Sequence, residues 1–251
     1  MLKILSFDLE GDFAAFRDPS VTTNQTVYLI PSKTQIIGML GAILGIERGH
    51  ELKELYSKEF IEFLAAAKIG IKVKSEPDKI SFFTNHRSLK EPKMKPVKSE
   101  VLLKPKYTIY IQTNEDNYEK LKQALSNNEF KYSPFLGHAY CPARISGANT
   151  HTAKEVSLRN ITVGTVVLDE SIETFGRTSS LKNLELEKGN VRLIVERHLH
   201  NFVKGNELKK TVLRHWIPLQ DGKIVFDYEP KLKITNFLEL SSKPEEIICF
   251  Y

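Results

Sequence analysis

The chain has no run of roughly 18 consecutive apolar residues, which excludes a membrane-spanning helix. Its opening, Met1-Leu2-Lys3-Ile4-Leu5-Ser6-Phe7-Asp8, lacks the long apolar core and cleavage site of a signal peptide and alternates like a strand instead. Only two cysteines occur, Cys141 and Cys249, far apart, so no disulfide framework is indicated and a reducing cytoplasm is the expected location. There is no Walker A loop, no Gly-x-Ser-x-Gly, no His-Glu-x-x-His and no zinc-finger cysteine spacing, so no cofactor or metal is expected. No internal repeat or low-complexity tract is visible.

What is present is a globular composition. Hydrophobic residues make up 41% and charged residues 27%, which excludes wholesale disorder, and 251 residues can bury a real core as one large domain or two small ones. Net charge is +5, and the distribution of that charge says more than its sum. The densest signal follows the first strand. Phe16-Arg17-Asp18-Pro19 leads through a hydroxyl-rich loop to Thr26-Val27-Tyr28-Leu29-Ile30-Pro31-Ser32-Lys33-Thr34, and a helix expected over 33–46 carries Gly38 and Gly41. Ser32 or Thr34 can accept from an orphan amide of the first turn. Such a helix start, with Arg17 nearby, suits a phosphate; it equally suits a plain capped core helix whose glycines admit a close neighbour, here its own sheet.

The coarse pattern reads as strand 2–9, helix 33–46, helix 51–67, strand 69–74, strand 101–113 and a helix capped at Asn114 running to about Ala124. That order suits an α+β chain with a ferredoxin-like or RRM-like N-terminal domain over 1–150, its helices on one face of the sheet. A Pro- and Gly-bearing loop with a short strand follows over 132–149. Residues 151–251 then read as a small β-rich domain, with short strand-like runs at 162–168, 191–199, 212–218, 223–228, 233–240 and 247–250. Asp221-Gly222 is a hairpin signal between two of these runs.

Three stretches carry candidate chemistry. Between 79 and 106 lie Lys79, Arg87, Lys90, Lys93, Lys95, Lys98, Lys104 and Lys106 against only Glu91 and Glu100, with Phe82, Phe83, His86 and Tyr107 among or beside them. Pro92 and Pro96 exclude a helix. An extended basic hairpin fits, its lysines drawn to phosphates and its aromatics able to stack on unpaired bases; a solvated basic loop is the plain alternative. In Pro134-Phe135-Leu136-Gly137-His138-Ala139-Tyr140-Cys141-Pro142-Ala143-Arg144, Gly137 permits close backbone approach. His138, Tyr140 and Arg144 supply a donor, a stacking face and a phosphate fork, although an ordinary turn would read the same way. His198 and His200 share a strand face and could ligate a metal, but no third ligand lies near either, and a polar sheet face is the expectation.

Taken together, Phe16-Arg17, Thr22, Tyr28, Pro31-Ser32-x-Thr34 and Ile37-Gly38-x-Leu40-Gly41-Ala42 resemble the signature of the Cas-five family. These are RAMP-superfamily subunits of type I CRISPR Cascade complexes. The segment Pro134-Phe135-Leu136-Gly137-His138-x-x-x-Pro142-Ala143 resembles that family's glycine-rich segment, and the basic excursion, at about 76–106, falls where the family carries a protruding thumb hairpin. The texture is closest to type I-B members.

The resemblance implies a non-catalytic, cytoplasmic RNA-binding subunit that caps the 5′ handle of the CRISPR RNA. It would contact the Cascade backbone subunit and the large subunit, and target DNA only indirectly. The residues it assigns to RNA contact are Arg17, Tyr28, Ser32, Lys33, Thr34, Arg87, Lys90, Lys93, Lys95, Lys98, Gly137, His138, Tyr140 and Arg144. Met94 or Leu89 would serve as a wedge between bases. Two alternatives stay open. A type I-C branch of the family cleaves precursor RNA without metal through a Tyr, Lys and His set, and His86, His138 and Tyr28 are imaginable counterparts. The aligned tyrosine position here is Thr26, however, and no histidine directly follows a lysine. The other alternative is a protein–protein adaptor with a basic arm.

Overall fold

The computed structural model describes residues 2–47, 49, 56–87, 93–156, 160–168, 172–174, 184–186, 192–204, 207–219, 222–227, 232–234, 237–241 and 246–251. The architecture is α+β and rich in strands. β1 (Leu2–Glu10) runs antiparallel between β6 (Lys106–Gln112) and β7 (Arg144–Glu155), and β6 pairs on its other side with β3 (Lys68–Ser75). On the far side of β7 the sheet continues through β16 (Phe237–Leu240), β17 (Glu246–Cys249), β8 (Asn160–Val163), β14 (Ile224–Asp227) and β11 (Leu184–Leu186), giving nine strands. β7 runs through position 150, so this sheet draws on both halves of the chain.

The sheet curls back on itself. Ile69, in β3, and Tyr251, just after β17, exchange both backbone hydrogen bonds at 3.0 Å, and the Val166 N–H donates to the Ile71 carbonyl at 2.7 Å. The outer edge of β3 is thereby closed, which removes an exposed ladder. Period-two alternation then sorts the side chains. One face of β1 sends Leu5, Phe7 and Leu9 to the main core beneath the helices, while Ile4 joins Tyr110, Ala153, Leu238, Leu240, Ile248 and Phe250 inside the curl. Each fully buried Leu, Ile or Phe contributes about 1.5–3 kcal/mol.

Helix α1 (Lys33–Leu44) starts on a complete capping box. The Ser32 side chain accepts from the Gln35 N–H, and the Gln35 side chain accepts from the Ser32 N–H. It stops at Gly45, which is left-handed at φ 77°. Helix α2 (Lys58–Ala66) starts at Ser57, later than expected; of the predicted helix over 51–67, residues 51–55 lie outside the described residues. Helix α3 (Glu115–Asn127) is capped by Asn114 as expected.

Several strand expectations are corrected. The predicted strand 101–113 is two strands. β5 (Met94–Leu103) belongs to a separate arm, and the chain turns at Lys104, at φ 47°, and Pro105 before β6. The short strand expected inside 132–149 is the long β7. The run 162–168 breaks over Gly164–Val166 into β8 and β9 (Val167–Leu168), and there the buried Thr165 hydroxyl accepts from the Cys249 N–H at 2.8 Å. Asp221 lies outside the described residues, and the strands flanking it do not form a hairpin: β13 (Glu207–Pro218) pairs with β12 (Leu193–Lys204) and β9, whereas β14 pairs with β8 and β11.

Neither helix glycine packs α1 onto its own sheet. A Cβ at Gly38 would meet nothing within 4 Å, and one at Gly41 would meet Phe60 of α2 and Ile46 at ordinary contact distance.

Candidate nucleic-acid interface

The expected basic excursion is a hairpin arm of β4 (Asp78–Arg87) and β5, in unbroken antiparallel register over ten pairs from Asp78↔Leu103 to Arg87↔Met94. Its base is held by β2 (Phe13–Ala14) and by Gln25, which exchanges backbone hydrogen bonds with Lys98 and Glu100. Residues directly opposite each other share a face. Phe83 and Lys98 are such a pair, as are Arg87 and Met94, so these four lie on one face. Phe83 is 75% exposed and Met94 68%. His86 faces Lys95 on the other side, and both are exposed, as is Lys93. Lys98 stands 3.9 Å from Glu100. Lys90 and Leu89 lie outside the described residues. Tyr107 is not part of this aromatic set: it is fully buried, and its hydroxyl donates to the Leu29 carbonyl at 2.6 Å.

The segment leading to α1 forms a narrow ribbon. The Tyr28 N–H donates to the Phe16 carbonyl, the Asp18 N–H donates to the Thr26 carbonyl, and exposed Arg17 lies between them, opposite Val27. Tyr28 points inward and is only 6% exposed. Its hydroxyl donates to Asp18 Oδ1 at 2.7 Å and accepts from the Leu199 N–H at 3.4 Å, and its ring stacks on His198 at 3.9 Å. Burial, reinforced by the Asp18 hydrogen bond, raises the phenol well above its ordinary range. His198 is itself buried, with Nε2 2.9 Å from Glu196 Oε2, and Glu196 also accepts from the Leu29 N–H at 3.0 Å. The expected polar sheet face at His198 is therefore a buried clamp between β12 and the ribbon; the His200 side chain lies outside the described set. Among the described residues no three His, Cys, Asp or Glu side chains gather as a metal site.

Ser32 and Thr34 hydroxyls lie 3.1 Å apart at the start of α1. Lys33 sits beside them, partly buried, and burial together with nearby Lys68 pushes its ammonium down to about 8. Thr34, Gly38, Met39 and Ala42 form one wall of a cleft of about 690 Å³. Phe60 from α2 and the loop from Tyr132 to Gly137 line it too, and Phe16, Tyr56 and Phe135 make much of its lining aromatic. Gly38 is what keeps the α1 wall open. Gly137, at φ 84°, is needed for a different close approach than the one expected: a Cβ there would lie 2.2 Å from the Ala15 carbonyl oxygen. The neighbour it admits is the chain's own ribbon, to which the loop is tied by an Ala15 N–H donation to the Leu136 carbonyl.

With this geometry established, the sequence itself can be placed. The profile of the family described as CRISPR-associated protein (Cas_Cas5), its Cas5d member, matches residues 4–224. The chain belongs to the Cas5 family of CRISPR-associated proteins. No curated protein matches it by sequence. It is similar in fold to a crystal structure of a CRISPR protein from Archaeoglobus fulgidus, at 11% identity, with 98% of each chain covered and a TM-score of 0.56. Weaker likenesses are to a chain of a CRISPR RNA-guided surveillance complex (13% identity, 85% of this chain and 90% of that one, TM-score 0.49) and to a crystal structure of a Cas protein. The latter is 20% identical at a TM-score of 0.37; the match takes in 55% of this chain and spans only 59% of the length of that one.

In this Cas5-family chain the remaining expected site residues divide. His138 and Tyr140 are exposed and lie ring to ring, with centroids 3.9 Å apart, so they present one aromatic surface in the loop after Gly137. The Arg144 fork is occupied by carboxylates: Nε donates to Glu10 Oε1 at 3.3 Å and Nη2 to Asp12 Oδ1 at 3.1 Å. These bonds raise the guanidinium further and hold Asp12 low. The structure thus brings Thr34, Gly38 and Gly137 together around one cleft, sets Arg17 on the ribbon beside it, and puts Arg87, Lys93, Lys95 and Lys98 out on the arm. The aromatic cleft walls Tyr56, Phe60, Tyr132 and Phe135 were not anticipated as site residues. Tyr56 and Phe60 fall within the helix expected over 51–67. Among the described residues no helix is long and apolar enough to cross a membrane.

Proposed function

We propose that this chain is a non-catalytic RNA-binding subunit of a type I CRISPR surveillance complex, of subtype I-B on the texture of its sequence. In this reading it caps the 5′ handle of the CRISPR RNA, and the backbone and large subunits are its protein partners. We read the unit of β1, β3, β6 and β7 with its helices as ferredoxin-like, with the arm as its thumb. One observation carries the reading: the fold displays two surfaces suited to unpaired RNA, an aromatic-walled cleft at the start of α1 and an arm whose one face sets Phe83 and Met94 beside Lys98 and Arg87. Splayed bases fit the cleft and stack on Phe83, while Lys98, Arg87 and Lys33 meet phosphates.

The non-catalytic assignment rests on where the imagined acid–base residues stand. Tyr28 is buried with its proton engaged by Asp18, so its phenol neither meets substrate nor ionises near neutrality. His86 is out on β4 and His138 is in the loop after Gly137. The test is fluorescence anisotropy with handle-length single-stranded RNA across a salt series, alongside prolonged incubation with repeat RNA in EDTA. Salt-dependent binding that prefers the handle sequence over its scramble, with intact repeat RNA, is the expected result. Cleaved repeat RNA overturns the non-catalytic assignment, and binding indifferent to both salt and sequence overturns the whole reading.

A further inference from the structure

The outer side of β4 carries a feature that RNA binding does not use. β4 is the edge of the β2-β5-β4 sheet, and among the described residues no strand pairs with its outer side. Nine of its ten residues are exposed. Every second residue turns both its N–H and its C=O away from β5 into solvent. Edge strands are ordinarily blunted by proline, a bulge or a mid-strand charge. The centre of β4, Ile80-Ser81-Phe82-Phe83-Thr84-Asn85, has none of these: it is uncharged, proline-free and β-prone, and its register with β5 never slips. β5 differs, since it carries Pro96 and its other side is covered by β2 and Gln25.

We propose that the outer edge of β4 is a docking site for an extended strand of a neighbouring protein, with an uncharged β-prone centre and acidic flanks. Two arguments select a protein. An open ladder offers donors and acceptors alternately, and another peptide backbone matches both, whereas a phosphodiester only accepts. The charge around the edge selects the flanks. Arg87, Lys93, Lys95 and Lys98 stand exposed toward the outer end of the arm, with Asp78 and Glu100 the carboxylates on its described strands. The same cations set two copies of the arm against each other, so a second copy of this chain is the poorer occupant. RNA on the arm's face and a strand on its edge differ in the backbone groups they use, while the acidic flanks and the RNA phosphates draw on the same cations.

The test is amide hydrogen exchange across 78–87 of the full-length protein. One probe is the peptide Glu-Glu-Val-Thr-Val-Thr-Glu-Glu; its twins are N-methylated at alternate positions or flanked by lysine. The acidic peptide, at up to about 1 mM, slows exchange of alternate β4 amides by about tenfold or more, while both twins leave them unchanged. Three results overturn the proposal: no protection at that concentration, equal protection by the N-methylated twin, or the same amides already protected by self-association or by single-stranded RNA alone. Handle-RNA affinity measured on the same preparation reports the RNA-binding reading separately.

Discussion

The cleft and the arm belong to one chain but are built by opposite physics. The cleft is concave and mostly apolar, and it is shaped by two glycines doing different jobs. Gly137 allows the loop to lie against Ala15, and Gly38 leaves the α1 wall bare. The arm is extended, exposed and basic, held only at its base. Shape therefore governs the cleft and charge governs the arm. A ligand spanning both should lose affinity by two separable routes, one insensitive to salt and one steeply sensitive.

The largest effect separates folding from binding at the cleft. Gly137→Ala drives a methyl group to within 2.2 Å of the Ala15 carbonyl oxygen at a positive φ. It should destabilise the chain by about 2–4 kcal/mol, read from urea unfolding midpoints. An unchanged midpoint would show that the loop is not held against the ribbon as described.

On the arm, replacing Arg87, Lys93, Lys95 and Lys98 together with Gln leaves stability nearly unchanged, because all four are exposed. It should flatten the log–log salt slope of RNA binding by about 3, at roughly 0.7 for each single-strand phosphate contact. A slope unchanged within error would move the electrostatic contacts off the arm and erase the contrast with the cleft.

These regions also differ in how far the sequence discloses them. The arm is local: proline breaks, a lysine run and flanking strand patterns all lie within thirty residues, and the hairpin follows. The caps at Ser32 and Asn114 are local too. Arg144 is not, since its fork is filled because β1 and β7 register Glu10 directly opposite it across more than a hundred residues of chain. Tyr28 is buried for a similar reason, because β12 arrives from the C-terminal half to place His198 on its ring and Glu196 on the following backbone. Nothing near position 28 announces that. The β12–β13 hairpin, paired from Leu193↔Pro218 to Lys204↔Glu207, was not read as one, since strand runs were expected only over 191–199 and 212–218. The polar residues from His200 onward masked it as the end of a strand.

Gly38→Leu sharpens the comparison from the cleft's side. A Cβ at this position meets nothing within 4 Å, so the leucine enters the cleft without displacing protein atoms near its root. Removing a mid-helix glycine raises stability by about 0.5–1 kcal/mol. RNA affinity should fall about tenfold, by about 1.4 kcal/mol, with the salt slope intact. A variant that is more stable and binds equally well would show that bases do not enter the cleft.

The smallest effect lies where the two modes meet. Lys33 precedes Thr34 of the cleft wall, yet it acts through charge, and burial with Lys68 nearby pushes its ammonium down to about 8. A lysine so depressed makes the folded state carry the strain of a buried cation below that pH. Its contribution to stability therefore improves as pH rises from about 8 toward its ordinary 10.5. Binding runs the other way. A phosphate needs the protonated form, so RNA affinity should fall a few-fold between about pH 7 and pH 9, whereas a Lys33→Arg variant, charged throughout, stays flat. Wild type and variant tracking each other across that range would remove Lys33 from the phosphate contacts and leave the cleft governed by shape alone.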